Sequence, residues 1–305
     1  MHPNGTLIAI AVALVLGAGP LLLGLAGLLS ARRATAAAAP AKPWNWKLTV
    51  TSALLYTLAF NSIFFTQELF LVLPKALTPG LRPTLFHNNH TWEGDNPLAS
   101  LFQGTGALAT FLIASVCAVL LRRGWGRSPT IRLFLIWMTY NGFFQSLPQV
   151  VVGAINPGND VGMAMDYFGL SALAKTGAAL VALAAIAAIG LWLARPLLSL
   201  AEQPSDVAGA GARTRFVFQV ATLPALAAIV LIIPFRVPRE LIEVVILPVV
   251  VTITGIAWIQ AGAWLISDVR VRGAPGTVSV ARPLIAVLTL LLVFQLLLRP
   301  GIHFY

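Results

Sequence analysis

Long apolar runs alternate with short polar segments along the whole chain. A transmembrane helix needs about 20 predominantly apolar residues, and eight runs approach or exceed that length. They cover residues 7–29, 48–73, 98–121, 133–155, 168–194, 216–233, 241–266 and 284–298, the last of which is short and predicted to begin near Val280. Because no water satisfies backbone groups inside a bilayer, such spans fold as helices. The pattern predicts an all-α fold, a polytopic transmembrane helix bundle of about eight spans.

Composition supports the same interpretation. Of the 305 residues, 58% are hydrophobic and 10% are charged, whereas soluble domains are about one quarter charged. A soluble protein of this size cannot keep so much apolar surface away from water. The sequence therefore predicts a lipid bilayer as the immediate environment of the chain.

The basic residues predict the orientation of the spans. Alternate connections hold 14 of the 20 lysines and arginines, and the opposite connections hold five. The positive-inside rule assigns the richer side to the cytoplasm. With an even number of spans, both termini then lie outside the cytoplasm of a multi-pass protein of the cell (inner) membrane. The net charge of +10 thus reflects orientation, and nucleic acid is not an expected partner.

Connections divide the chain into four parts. Residues 1–47 form a first transmembrane anchor and a cytoplasmic linker, and residues 48–198 form a four-span polar core with an outer loop at 75–97. Residues 199–214 are a second cytoplasmic linker, and residues 215–305 form a three-span C-terminal part.

Two ionisable residues stand out inside the predicted spans, where charge is costly and usually paired or functional. Glu68 and Lys175 lie at similar depths, about 10 Å from the outer ends of their helices at 1.5 Å per residue. We expect a buried ion pair between them. It could fasten two helices together or handle protons or substrate, or the two groups could face a wet vestibule separately.

Amide side chains also recur on one face of single spans. Asn141, Gln145 and Gln149 are four residues apart, and Asn61 shares a face of its helix with Glu68. Residues at this spacing are neighbours on a helix surface. The sequence predicts a polar stripe that faces another helix or a wet cavity.

The outer loop holds the densest set of potential metal ligands. We expect it to fold back over the bundle and to bring His87 and His90 above Glu68 and Asp160. Imidazole and carboxylate ligands suit zinc or copper, so these four residues form a candidate metal site. The alternative is a set of hydrogen-bonded turns, since Asn and Asp side chains readily bond to their own backbone.

Three stretches in the first half of the chain carry a family resemblance. They are FTQELFL at residues 65–71, GTGALAT at 104–110 and NPGNDVG at 156–162. In order, they resemble the motifs of the site-2 type intramembrane zinc metalloproteases, which are H-E-x-x-H, a G-P-L-A-N-like segment and N-x-x-P…D-G. The resemblance implies a three-helix core in which Glu68 occupies the general-base position and Asp160 the position of the aspartate zinc ligand.

The chain departs from that pattern at the metal. Gln67 and Leu71 replace both zinc histidines, and leucine has no ligand atom. The family's site also opens to the cytoplasm, whereas the charge pattern puts Glu68 outside. We therefore expect a degenerate relative, a pseudoenzyme without conventional zinc proteolysis.

The predicted function is that of a non-catalytic membrane protein. It would be a degenerate site-2-protease-like scaffold or an accessory subunit that binds other membrane protein subunits. The alternatives are a metal-handling protein or enzyme with a rebuilt outer-face site, and a small-solute transporter that uses the Glu68–Lys175 pair.

Overall fold

A computed structural model describes residues 3–33, 43–126, 128–271 and 278–305. These residues are predominantly helical, with one small sheet. Helices of the first half are α1 (Pro3–Val12), α2 (Gly19–Arg33), α3 (Trp46–Ala76), α4 (Leu98–Phe102), α5 (Thr105–Arg122) and α6 (Pro129–Ile155). Helices of the second half are α7 (Asp160–Tyr167), α8 (Ala172–Leu198), α9 (Ala210–Val217), α10 (Leu223–Arg236), α11 (Leu247–Gly262) and α12 (Ala281–Leu292).

Short π-helical turns join several of these helices into longer rods. Within the described ranges, seven rods are long and apolar enough to cross a membrane. They are Gly5–Ser30, Trp46–Ala76, Leu98–Arg122, Ala172–Leu198, Ala210–Arg236, Ile242–Leu265 and Ala281–Leu298. The predicted helical, multi-pass membrane architecture is confirmed to this extent.

The remaining predicted span, 133–155, lies within α6. This helix has 27 residues, about 40 Å at 1.5 Å per residue, but it is not among the seven apolar rods. It packs against α3, α5, α8 and α11, so its polar face contacts protein instead of lipid. Its central position explains how a helix of span length carries so many amides, and a count of eight spans stays a prediction.

Several predicted boundaries differ from the observed helices, and one difference has a clear local cause. The run predicted to begin at Phe168 starts as α8 at Ala172, because Gly169 adopts φ +62° and Ser171 caps the new helix by accepting the amide hydrogen of Ala174. Within the rod Leu98–Arg122, a turn at Gln103 and Gly104 separates α4 from α5.

The structure describes the second predicted linker but only part of the first. Most of the first linker, residues 34–42, lies outside the described part of the chain. The second, 199–214, contains a short 3₁₀ turn at Pro204–Val207 and the beginning of α9. The helices before and after it pack together, since α10 contacts α3 and α11 contacts α8.

An aromatic cluster fills the centre of the bundle. Tyr56 of α3 packs edge-on against Trp137 of α6 at 4.9 Å between ring centroids. Tyr140 stacks on Phe144 and donates its hydroxyl hydrogen to carbonyl oxygens of α11. The tyrosine hydroxyls of this cluster are hydrogen-bonded, as is usual for buried tyrosines. The cluster joins α3, α6 and α11.

A three-stranded antiparallel sheet covers one end of the bundle. It consists of β1 (Arg82–Leu85), β2 (His90–Glu93) and β3 (Ile302–His303), in the order β2-β1-β3. Leu85 pairs with His90 in the hairpin, and Thr84 pairs with His303 near the C-terminus. We call this the hairpin end. The outer loop is therefore ordered, and the last residues of the chain complete its sheet.

Candidate functional site

Glu68 lies near the hairpin end of α3, and only 5% of its surface is exposed. The helix begins at an Asn45 cap, whose side chain accepts the amide hydrogen of Leu48 at 3.1 Å. It continues without interruption past Glu68 to Pro74 and Ala76. A carboxylate at this depth requires a hydrogen-bonding partner, since burial of an unpaired charge is costly.

His90 of β2 supplies that partner. Its Nδ1 atom lies 2.9 Å from Oε2 of Glu68, and both side chains are more than nine-tenths buried. Trp92 stacks on the His90 ring at 5.8 Å between centroids. The hairpin thereby fastens to α3 and shields the carboxylate from solvent.

Lys75 completes the network from the same helix. Its Nζ donates to Oε1 of Gln103 at 2.7 Å and to the carbonyl of Leu71 at 3.0 Å. It also lies 3.3 Å from Nε2 of His90 and 4.5 Å from the centroid of the Trp92 ring. Although Lys75 is wholly buried, its ammonium group is surrounded by acceptors and an aromatic face, which favour a cation.

Both nitrogens of His90 have partners in this arrangement. A ring with its hydrogen on Nδ1 donates to Glu68 and accepts from Lys75 at Nε2. Nε2 also lies 3.0 Å from Oε1 of Gln103. We call Glu68, Lys75, His90 and Gln103 the buried polar network.

Asp160 acts on this network through its charge. It begins α7 directly after the Asn159 cap and is half-buried. Burial raises the pKa of Asp160, and the nearby charge of Glu68 raises it further, whereas His90 and Lys75 act in the opposite direction. Two carboxylates therefore share one electrostatic environment with a lysine and a histidine.

The predicted four-residue metal site does not assemble. The Nε2 of His87 donates instead to the carbonyl of Val237 at 3.2 Å, and the neighbouring Asn88 donates to the carbonyl of Arg236. The turn between β1 and β2 is thus docked on the end of α10. Among the residues that the structure describes, no group of three or more His, Cys, Asp or Glu side chains is arranged to hold a metal ion.

The predicted Glu68–Lys175 ion pair is wrong. Lys175 pairs with Asp166 of α7, and Glu68 pairs with His90. The turn between α7 and α8 places Asp166 beside the first turns of α8, so the nearest carboxylate to Lys175 is local. Half of the Asp166 side chain is exposed, which makes this a weakly stabilising surface pair.

The amide stripe faces α3, but its members bond differently. Gln145 donates to the carbonyl of Phe60 at 3.2 Å, and Gln149 donates to Oε1 of Gln67 at 2.8 Å. Asn61 and Asn141 instead donate to carbonyls one turn earlier in their own helices. The stripe therefore contributes two direct cross-links between α3 and α6.

The three motif-like stretches meet in space. A Cβ atom added at Gly106 would lie 2.8 Å from both the Gln67 carbonyl and Cγ of Leu71, so the second stretch packs tightly on the first. In the third stretch, Val161 belongs to the same small buried cluster as Ala107 of the second stretch. Close helix approach at small residues is typical of membrane bundles.

Sequence reasoning missed Lys75 and Gln103 as members of the site. Lys75 follows Glu68 by two helical turns and so shares its face, a signal that could have identified it. No comparable signal marks Gln103, which lies between α4 and α5 and is separated from Lys75 by the whole hairpin.

Comparisons with protein-family models, with curated proteins and with solved structures find no match to this chain.

Proposed function

We propose that this chain is a non-catalytic polytopic membrane protein, which serves as a scaffold or as an accessory subunit of a larger membrane complex. One observation carries the proposal: the members of the buried polar network form their hydrogen bonds with one another. Glu68, His90 and Lys75 are held by one another and by Gln103, and each is at least nine-tenths buried at its side chain. Groups arranged in this way stabilise a fold, and they leave no exposed nucleophile or base for a substrate.

A degenerate site-2-protease-like core is part of the proposal. Its support is the meeting of the three motif-like stretches around Glu68, although Gln67 and Leu71 stand where zinc ligands would be needed. Gln67 is instead bonded to Gln149, and Leu71 is buried in the core. These positions have structural partners in place of a metal.

We further propose eight spans in the cell (inner) membrane, with both termini outside the cytoplasm. The distribution of basic residues supports this orientation. The sheet formed by the outer loop and the C-terminal residues is consistent with their location on one side of the membrane. Labelling of single cysteines added beside Met1 and Tyr305, in a Cys117→Ser background, tests the topology. Protection of either terminus from an impermeant reagent in intact cells would contradict it.

The exposed spans favour membrane partners. Only 11% of the most apolar window of the first span is buried within the chain, and 22% of that of the last. These helices present long apolar faces to lipid or to the spans of other membrane protein subunits.

Purification from native membranes in mild detergent tests the proposed role. We expect stoichiometric co-purification of other membrane chains, identified by mass spectrometry, and unchanged co-purification with Glu68→Gln in protein that remains folded. An isolated monomer that processes a membrane substrate, with activity abolished by Glu68→Gln in protein that remains folded, would contradict the proposal.

A rebuilt enzymatic or proton-handling site is the second candidate. The observation that favours it is the contact of a carboxylate, an imidazole and an ammonium group, with Asp160 close by. This candidate requires that the hairpin opens, since His90 and Trp92 cover Glu68. Metal analysis of the purified protein distinguishes a metal-handling version from one that uses only these side chains.

A further inference from the structure

A cavity of about 460 Å³ lies at the end of the bundle opposite the hairpin end. It is formed where the last turns of α5 and α8 meet the first turns of α6 and the segment after Leu265. We call it the basic cavity. Its charged lining consists of Arg122, Arg132, Arg195, Arg270 and Asp268, so it carries a net charge of +3.

The arginines occupy different depths. Arg132 is buried, with 7% of its surface exposed, and contributes its charge from the wall. Arg122, Arg195 and Arg270 are exposed at the rim. A ligand in the cavity would therefore meet cationic groups from four separate segments of the chain.

The positive-inside rule and the helix dipoles explain the positions of some of these arginines but not of Arg132. Arg122 and Arg195 lie in the last turns of their helices, where a positive charge is favourable. Arg132 is the fourth residue of α6, which begins at Pro129, and a positive charge near a helix N-terminus is unfavourable. The buried arginine adds its positive charge to the N-terminus of α6, and a helix N-terminus by itself already attracts anions.

The rest of the lining leaves the arginines as the donors available to a ligand. Ser199 already donates its hydroxyl hydrogen to the carbonyl of Pro196 at 2.7 Å. Trp192 provides a half-buried aromatic wall. Arginine recognises phosphate through paired N–H donors, which gives both charge and geometric fit.

We propose that the basic cavity binds a phosphate group, held by Arg122, Arg132, Arg195 and Arg270. The phosphate comes either from the headgroup of an anionic phospholipid or from a soluble phosphorylated compound. The two sources share the chemistry recognised by the arginines. This binding is independent of the buried polar network and of the proposed scaffold role.

The test uses the purified full-length chain at low ionic strength and two probes. Phosphatidylglycerol is titrated into the detergent-solubilised protein and counted by native mass spectrometry, with phosphatidylcholine as the uncharged comparison. Inorganic phosphate is measured by equilibrium dialysis, with chloride at matched ionic strength. Saturable binding of phosphatidylglycerol alone assigns a lipid headgroup, and saturable binding of inorganic phosphate assigns a soluble ligand; both support the proposal.

Matched variants separate the cavity from general surface charge. Arg122→Ala and Arg195→Ala should each weaken binding roughly tenfold, the size expected for loss of a charge-assisted contact. Arg123→Ala removes the same charge from the adjacent position, which does not line the cavity, and should change affinity by less than about twofold. The rim residues are exposed, so their variants should remain folded, as checked by thermal unfolding.

Two results would overturn the proposal. One is the absence of saturable binding of both probes to the wild-type chain. The other is equal weakening by Arg123→Ala and Arg122→Ala, which would show that only the overall charge of this end attracts anions.

Discussion

The Nδ1 atom of His90 lies 2.9 Å from Oε2 of Glu68, and this contact joins the hairpin to the second rod of the bundle. It excludes water from a carboxylate that lies inside a predicted span. It also sets the position of Trp92, which stacks on the same imidazole. The end of the bundle is thus closed by a polar bond between a strand and a helix.

The first prediction concerns the energetic coupling of these two residues. His90→Ala should lower the free energy of unfolding by about 1.5–3 kcal/mol, since it leaves the buried Glu68 carboxylate unsatisfied. Glu68→Gln should lower it by about 1 kcal/mol, since the amide oxygen still accepts the hydrogen bond from His90 but carries no charge. The double variant should lose less than the sum of the two, by about 0.5–3 kcal/mol. Thermal or denaturant unfolding in detergent measures this double-mutant cycle.

Lys175 provides the control for that cycle. Lys175→Met removes one half of a partly exposed pair with Asp166 and should cost less than about 1 kcal/mol. It should be additive with Glu68→Gln. Strong coupling between Lys175 and Glu68, together with none between His90 and Glu68, would refute the observed pairing.

The second prediction concerns the C-terminal strand. Deletion of residues 302–305 removes β3 from its pairing with β1 and removes the contact between His303 and Thr84. Backbone amides of residues 82–93 should then exchange hydrogen faster, because the hairpin loses a neighbouring strand. Hydrogen–deuterium exchange detected by mass spectrometry follows this, and deletion of Tyr305 alone should have a much smaller effect.

The third prediction concerns pH. Burial lowers the pKa of His87 from its ordinary 6.5, and Arg299, Arg236 and Arg239 lower it further, against the opposing hydrogen bond to Val237. The folded chain therefore holds His87 neutral, whereas the unfolded chain protonates it below about pH 6.5. Stability should fall as pH falls through this window, because the unfolded state binds more protons.

His87→Gln should flatten that dependence. The measurement is the unfolding midpoint of wild type and variant between about pH 7.5 and about pH 5.5. His303→Gln alters an exposed histidine and should retain the wild-type loss in acid. An unaltered slope in His87→Gln would show that His87 does not resist protonation.

The fourth prediction concerns packing at Gly106. A Cβ there would lie 2.8 Å from the backbone oxygen of Gln67, which cannot move without displacing α3. Gly106→Ala should therefore destabilise the chain by about 1–3 kcal/mol. Gly177→Ala is the matched control, since Gly177 lies in α8 with no atom near its Cβ position and should gain about 0.5–1 kcal/mol from helix propensity. Equal effects at both positions would contradict the observed contact between α3 and α5.

The sequence determined the helical architecture, because the apolar runs are long and a helix satisfies its own backbone. It also determined which residues share a helix face, so the stripe of Gln145 and Gln149 could be predicted to meet another helix. Periodicity within a helix is local and requires no knowledge of neighbouring elements.

Only the tertiary structure decided which polar groups meet. Glu68 and Lys175 were predicted to pair from similar depth, but depth says nothing about the rotation of one helix relative to another. Packing turns Glu68 toward His90, and a turn specific to α7 and α8 gives Lys175 its own carboxylate. The separation of His87 from His90 has the same origin: the register of the hairpin directs one imidazole to α3 and the other to α10, and that register depends on contacts that no single segment contains.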